Sequence, residues 1–339
     1  MAKPNSFQEL PSFEDLPDKA RYWVWGPPGS REEGLGMLNL LTPQHVAQSA
    51  KSEIQTGERV GLGWEFHNLS HAAFNRRKFE MRIIALNSGG KPIRAFDDEY
   101  HMNPQQSSQW DGLRHHSQPE NCGNELKGET VKGIGSNVWY GGTTAEEILS
   151  PGNSRIGIHH WSSGIVGRGV LIDYASWAEE NGIKYSCFSN HTIPLSDLLK
   201  VVERYNVEIK PGDILFVRIG LIQEWDNMSE EARVGYQSGS QKNHAGVASS
   251  EEMLKWIWNS HFSAVASDSV SFEIYPQVGQ ISLHHYLIAG WGMPIGELFD
   301  LDALAAMCKR LNRYSFFVSS VPFNSVGGVS SAPNAVAIF

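Results

Sequence analysis

The sequence predicts one mixed domain of strands and helices, an α/β or α+β fold, and three observations carry that expectation. Short strand-like runs and amphipathic helix patterns are interleaved along the chain without strict alternation. No Gly/Ser-rich break divides its 339 residues, which suffice to bury one large core. Hydrophobic residues at 41% and charged residues at 19% are the proportions of an ordinary folded chain. The expected organisation is an N-terminal arm, residues 1–20, followed by a single domain over 21–339. The arm is polar and punctuated by prolines, so it is suited to wrapping a neighbour.

Taken in order, "RYWVWGPPGSREEGLGMLNLLTP" is rich in Gly and Pro yet holds Trp23, Trp25 and Leu38, which marks an ordered loop. A helix follows, with Thr42 as N-cap, Pro43 at the first helical position and Gly57 as the stop. Strand-like runs come next at 59–64, 79–86, 169–173, 213–220 and 263–268. Between them, "LSDLLKVVERYN" sets Leu195, Leu198, Leu199, Val202 and Tyr205 on one helical face. "SSEEMLKWIWNS" opens with a serine cap and acids in its first turn, as the helix dipole prefers. "LFDLDALAAMCKRLN" reads as a further helix, and "RYSFFVSSVPF" and "APNAVAIF" return to strands.

Composition removes several function classes. A formal net charge of −9 argues against nucleic acid or an anionic membrane as partner. The N-terminus lacks the apolar region of a signal peptide, and no apolar run reaches the roughly 18 residues of a membrane span. Cys122, Cys187 and Cys308 form neither a CxxC pair nor an even disulfide set, which fits a reducing compartment. A cytoplasmic protein is the expectation. With no P-loop and no G-x-G-x-x-G after a strand, no nucleotide cofactor is expected. A G-x-S-x-G elbow and an H-E-x-x-H motif are also missing.

The chemistry gathers in "QQSSQWDGLRHH", residues 105–116. Gln105, Ser107, Gln109, Asp111 and His115 stand at odd-numbered positions, which an extended segment projects from one face, while a helix would pair 105 with 109 and 111 with 115, so either local structure gathers them. Asp111 with His115 offers a carboxylate for a divalent cation and an imidazole able to move protons near neutral pH. A hydrogen-bonded structural pair is the other reading. A second cluster, "HHYLIAGWGMPIGEL", holds His284, His285 and Glu297 in an apolar, Gly-broken segment where buried polar groups need partners. A third holds His159, His160 and Arg168 before a strand, and its two histidines read as structural or as supports behind a site. Eleven tryptophans and fifteen phenylalanines serve core packing or a pocket for a flat ligand, and Trp110 is the candidate pocket wall.

In order along the chain, "GIVGRGVLID", "KPGDILFVRIG", "AVASDS" and "HHYLIAGWGMPIGEL" resemble the "putative cyclase" superfamily, which includes bacterial kynurenine formamidases and isatin hydrolases. The resemblance implies a swivelling β/β/α domain of the cyclase/kynurenine formamidase type and a homodimer. The family's metal motif, H-x-G-T-H-x-D-x-P-x-H, aligns its aspartate with Asp111 and its last histidine with His115. Its first two histidines then fall on Gln105 and Gln109, its Gly-Thr on Ser107 and Ser108, and its proline on Leu113. A later histidine and a glutamate twelve residues on complete the family site. His285 and Glu297 have that separation, and His284 suits it less well.

The implied metal ligands are therefore Asp111, His285 and Glu297, with Gln109 and Gln105 in question. Amide oxygen is a harder and generally weaker donor than imidazole, so one divalent ion, Mn or Zn, is expected, with the glutamines favouring the harder metals. The implied activity is a metal-dependent hydrolase or cyclase. It would act on the C–N or C–O bond of a small cyclic amide, formamide or lactone, with His115 as proton shuttle and Trp110 holding a planar substrate. The alternative is a metal-free lyase, isomerase or cyclase of secondary metabolism that uses Asp111, His115 and Glu297 as acid/base groups.

Overall fold

Two apolar runs, "ILFVR" and "AVAS", form strands buried at every residue, the pattern of a sheet covered on both faces. The computed structural model of the protein describes residues 4–69, 76–87, 90, 92–131, 137–239 and 242–339. Among these, nine strands make one sheet. In chain order they are β1 (Arg59–Gly61), β2 (Gln109–Asp111), β3 (Ile165–Asp173), β4 (Ile214–Arg218), β5 (Ala264–Ser267), β6 (Ile295–Glu297), β7 (Ser315–Ser320), β8 (Ser330–Ser331) and β9 (Ala335–Ile338). The spatial order is β1-β9-β7-β3-β4-β5-β6-β2-β8. Strands β3 to β6 run parallel, and antiparallel partners extend the sheet on both sides. The fold is mixed α/β.

Two helices begin where side-chain caps place them. Helix α1 (Pro43–Glu53) has Thr42 accepting from the His45 amide, and Ser250 caps α3 (Glu251–Asn259) by accepting from Met253. Helix α1 stops at Glu53, short of Gly57: Ile54 is already extended, and the Glu53 carboxylate sits in the core beside Arg168. On α2 (Leu195–Arg204) the buried positions are Leu198 and Val201, while Leu199 is exposed. Helix α4 runs from Asp302 to Leu311, four residues later than the apolar pattern begins.

Two expectations change. The N-terminal arm, described from residue 4, packs on its own chain: Phe7, Leu10, Phe13 and Leu16 are buried, and Trp258 and Trp291 donate to the carbonyls of Pro11 and Lys19. The strand expected at 79–86 forms (Glu80–Leu86) but lies outside the main sheet, paired antiparallel with Ala95–His101. Its partner sets Asp97, Asp98 and Glu99 opposite Ile84, Ile83 and Arg82, and three consecutive acids resist burial in a core. Among the described residues, no helix is long and apolar enough to cross a membrane.

Arg168 anchors the middle of the sheet. On β3 it meets Glu53 at 3.0 Å and Asp213 at 2.6 Å, joining α1 to the loop before β4. Beyond the carboxyl ends of β5 and β6 the chain opens into a cavity, where open parallel sheets commonly bind ligands.

Candidate active site

Strand β2 carries Gln109 and Asp111 to one face and Trp110 to the other, because successive side chains of a strand alternate. Its antiparallel register on β6 sets Gln109 against Glu297 and Trp110 against Gly296. On the site face, Gln109 Nε2 donates to Glu297 Oε2 at 2.7 Å. On the opposite face Trp110 is 1% exposed, donates to Ser320 Oγ at 2.9 Å and packs edge-on against Phe299. A Cβ on Gly296 would come within 2.9 Å of the indole, so the glycine makes room for it. Trp110 is thus a core residue and does not wall the pocket, a correction that follows from strand alternation.

A short 3₁₀ turn, Pro104–Gln106, brings Gln105 back over Asp111, with Asn103 accepting from the Gln105 amide. Gln105 Nε2 donates to Asp111 Oδ1 at 2.9 Å and lies 3.0 Å from His115 Nδ1. The turn at Gly112 returns His115 to the same spot, its Nε2 3.5 Å from Asp111 Oδ2. Gln105, Gln109, Asp111, His115 and Glu297 therefore come together.

The histidine that joins them is His284, not His285. His284 is buried, with Nε2 at 3.2 Å from Glu297 Oε1 and Nδ1 at 2.7 Å from Glu273 Oε2. His285 is not among the donor atoms that gather with Asp111, and its ring lies 5.3 Å from that of His116, which is as near to His284 at 5.2 Å. The physical reason lies in the next element. Residues His285–Trp291 form a π-helix, which takes more residues per turn than an α-helix. A count of twelve back from Glu297 consequently lands one position beyond the residue that faces it.

Burial governs the charges. It pushes the Asp111 carboxyl up to about 6, against the pull of His284 and Arg76. Burial and then the neighbouring Asp111 raise Glu297 above the usual carboxylate range. His115 is driven down to about 4 by burial, reinforced by the positive charge of His284. For His284 burial also opposes the charge, but Glu273 and Glu297 outweigh it and hold the imidazole well above its ordinary value. Cys122, Cys187 and Cys308 are buried, and burial raises all three thiols, which leaves none poised as a nucleophile.

These residues fit a divalent cation. Gln109 Oε1, Asp111 Oδ2 and Glu297 Oε1 are buried without a hydrogen-bond donor, although buried acceptors are nearly always satisfied. Of these, Glu297 Oε1 faces His284 Nε2 at 3.2 Å, within ion-pair distance. Donor atoms of Asp111, His115 and His284 all lie within 4.8 Å of one another. Carboxylate and amide oxygens with imidazole suit Mn or a similar hard-to-borderline ion.

His115, His284 and Glu297 of the cluster line a cavity of about 360 Å³, a size that accommodates a small organic ligand. Val270, Ile274 and Tyr275 supply its apolar lining, and Arg76, His116 and Glu273 its polar one. Sequence reasoning missed Arg76, His116, Glu273 and Tyr275 as site residues. Only His116, inside the motif, carried a local signal. His159 and His160 lie elsewhere, with the His160 ring packed against Gly34.

Comparison with known proteins agrees with this fold. The profile of the family described as "Putative cyclase" matches residues 31–274. The crystal structure of a novel cyclase is 25% identical, with a TM-score of 0.75, covering 91% of this chain and 97% of its own. Isatin hydrolase A from Ralstonia solanacearum is 13% identical with a TM-score of 0.53, covering 87% of this chain and 95% of its own. Isatin hydrolase A from Labrenzia aggregata is 14% identical with a TM-score of 0.51, covering 87% and 97%. No curated protein matches the chain.

Proposed function

The chain belongs to the "putative cyclase" family, and on that premise we propose that it is a metal-assisted hydrolase or cyclase. It would cleave the C–N or C–O bond of a small cyclic amide, formamide or lactone. The observation that carries this reading is the cluster of Asp111, His115, His284 and Glu297 beside the cavity, with three buried acceptor oxygens lacking donors. Asp111, Glu297 and His284 would hold the cation, with the amide oxygen of Gln109 as the further donor. A divalent ion bound there supplies Lewis acidity to a carbonyl and raises the acidity of water.

The protein's own groups do the rest. His115 is neutral near pH 7, so it can take the proton of the attacking water and return it to the leaving nitrogen or oxygen. Asp111 Oδ2, 3.5 Å from its Nε2, stabilises the imidazolium formed in between. Arg76, on the cavity wall, places positive charge where the substrate oxygen becomes negative. Val270, Ile274 and Tyr275 exclude water and hold a flat substrate.

One observation favours a second reading, a metal-free lyase, isomerase or cyclase of secondary metabolism. The Gln105 and Gln109 amides donate to Asp111 and Glu297, and a proton on His284 sits between Glu273 and Glu297, so hydrogens can fill the role of a cation. The two readings are separated by turnover of a panel of lactones, lactams and formanilides in oxygen-18 water. The hydrolytic reading expects one labelled oxygen in the product. Turnover that yields an unlabelled product would overthrow it in favour of the second.

A further inference from the structure

We propose that Glu273 is a positioning residue that orients His284 as a metal ligand, an inference that rests on the metal-assisted reading above. Glu273 lies in the loop after β5 and grips a single turn of chain at three points. Its Oε1 accepts from the backbone amide of His284 and from Ser282 Oγ, each at 3.1 Å, while its Oε2 meets His284 Nδ1 at 2.7 Å. Both ring orientation and tautomer follow from that contact. When a cation takes the place of the second ring proton, Nδ1–H stays with the carboxylate and the lone pair is on Nε2, the nitrogen that faces Glu297 Oε1.

A carboxylate behind a histidine is a recurring support for metal ligation, because it fixes the ring and makes the far nitrogen a stronger donor. Two features make that support weigh more here than in a histidine-rich site. Gln105 and Gln109 stand at the positions of two family histidines and donate amide hydrogens to Asp111 and Glu297, drawing electron density from the carboxylates. His284 is also the last residue before a π-helix, a rare backbone geometry that is frequent at functional sites. The site's affinity for a cation therefore depends on His284, and His284 depends on Glu273.

The test is a Mn²⁺ titration of the chelator-stripped full chain, with free Mn²⁺ read by electron paramagnetic resonance. The variants are Glu273→Gln, Glu273→Asp, His284→Gln and the double variant Glu273→Gln/His284→Gln. Glu273→Gln is expected to weaken binding about 10- to 100-fold. Glu273→Asp keeps the charge but is one bond too short to reach Nδ1, and it should fall in the same range. In the His284→Gln background, Glu273→Gln should add less than about 3-fold, because the contact through which it acts is gone. Circular dichroism of each stripped variant confirms folding, and Glu273→Asp serves if the glutamine variant does not fold.

Wild-type affinity in Glu273→Gln overturns the proposal. So does wild-type affinity in Glu273→Asp, which would make charge, not reach, the operative property. An undiminished effect of Glu273→Gln in the His284→Gln background does the same. If the wild-type chain binds no Mn²⁺, Co²⁺ or Zn²⁺ at one per chain, the metal-assisted reading falls and takes this inference with it. That outcome is distinct from the other three, in which the wild-type chain binds metal.

Discussion

Replacing His284 with glutamine in the chelator-stripped chain takes an imidazole from between two buried carboxylates. Its nitrogens lie 2.7 Å from Glu273 and 3.2 Å from Glu297, and the three side chains are at most 10% exposed. Leaving the partners of a buried charge pair stranded costs about 3–5 kcal/mol. A glutamine N–H can still reach one of them, which places the expected loss near the lower figure. The effect depends on pH with a sign that can be worked out. His284 is raised in the folded state, so its contribution is complete below its unfolded value of about 6.5 and fades as pH rises through the folded one. For Glu273, burial acts upward but His284 outweighs it and holds the carboxyl at about 2. That contribution is complete above about 4.3 and is lost as pH falls toward the folded value. The gap between wild type and variant should be widest from roughly pH 4.5 to 6.5. Urea unfolding followed by tryptophan fluorescence at pH 5.5 measures it, with His285→Gln as the comparison, expected to cost under about 1 kcal/mol. If His285→Gln costs as much as His284→Gln, or His284→Gln costs under about 1 kcal/mol, the placement of His284 is refuted.

Three further outcomes are expected. His115→Asn should lower kcat by about 10²- to 10⁴-fold with little change in unfolding midpoint, since it removes the proton shuttle; steady-state kinetics on the substrate found by the panel decides it. Trp110→Phe should cost about 1–3 kcal/mol through the lost bond to Ser320 and lost packing, leaving KM unchanged; a raised KM would return Trp110 to the pocket wall. Arg168→Met strands Glu53 and Asp213 and should cost about 3–5 kcal/mol in urea unfolding, with activity per folded molecule retained.

What the sequence reveals of this site depends on how local each contact is. Asp111 and His115 were legible because a single strand and turn join them, and Gln105 and Gln109 because they share that segment. Glu297 was legible through the family resemblance, which sets a glutamate twelve residues after a histidine, but the π-helix shifted the count, and no propensity argument foresees a π turn. Trp110 was misread because strand alternation sends it away from its neighbours 109 and 111, and it finds Phe299 and Ser320 instead. Glu273, Arg76 and Tyr275 arrive from loops far along the chain, where no periodicity marks them. At the level of the fold, capped helices such as α1 and α3 were plain. The exposed hairpin was not, because its acidic strand Ala95–His101 has none of the apolar pattern that marks a strand.

Whether Asp111, His284 and Glu297 hold one divalent cation is decided by elemental analysis of the reconstituted chain. The stripped protein would be incubated with Mn²⁺, freed of excess ion by gel filtration and compared with Asp111→Asn treated in the same way. One manganese per chain in the wild type, with loss in Asp111→Asn, is the expected result. A wild-type chain that retains no manganese, and no zinc when reconstituted with Zn²⁺, would contradict it.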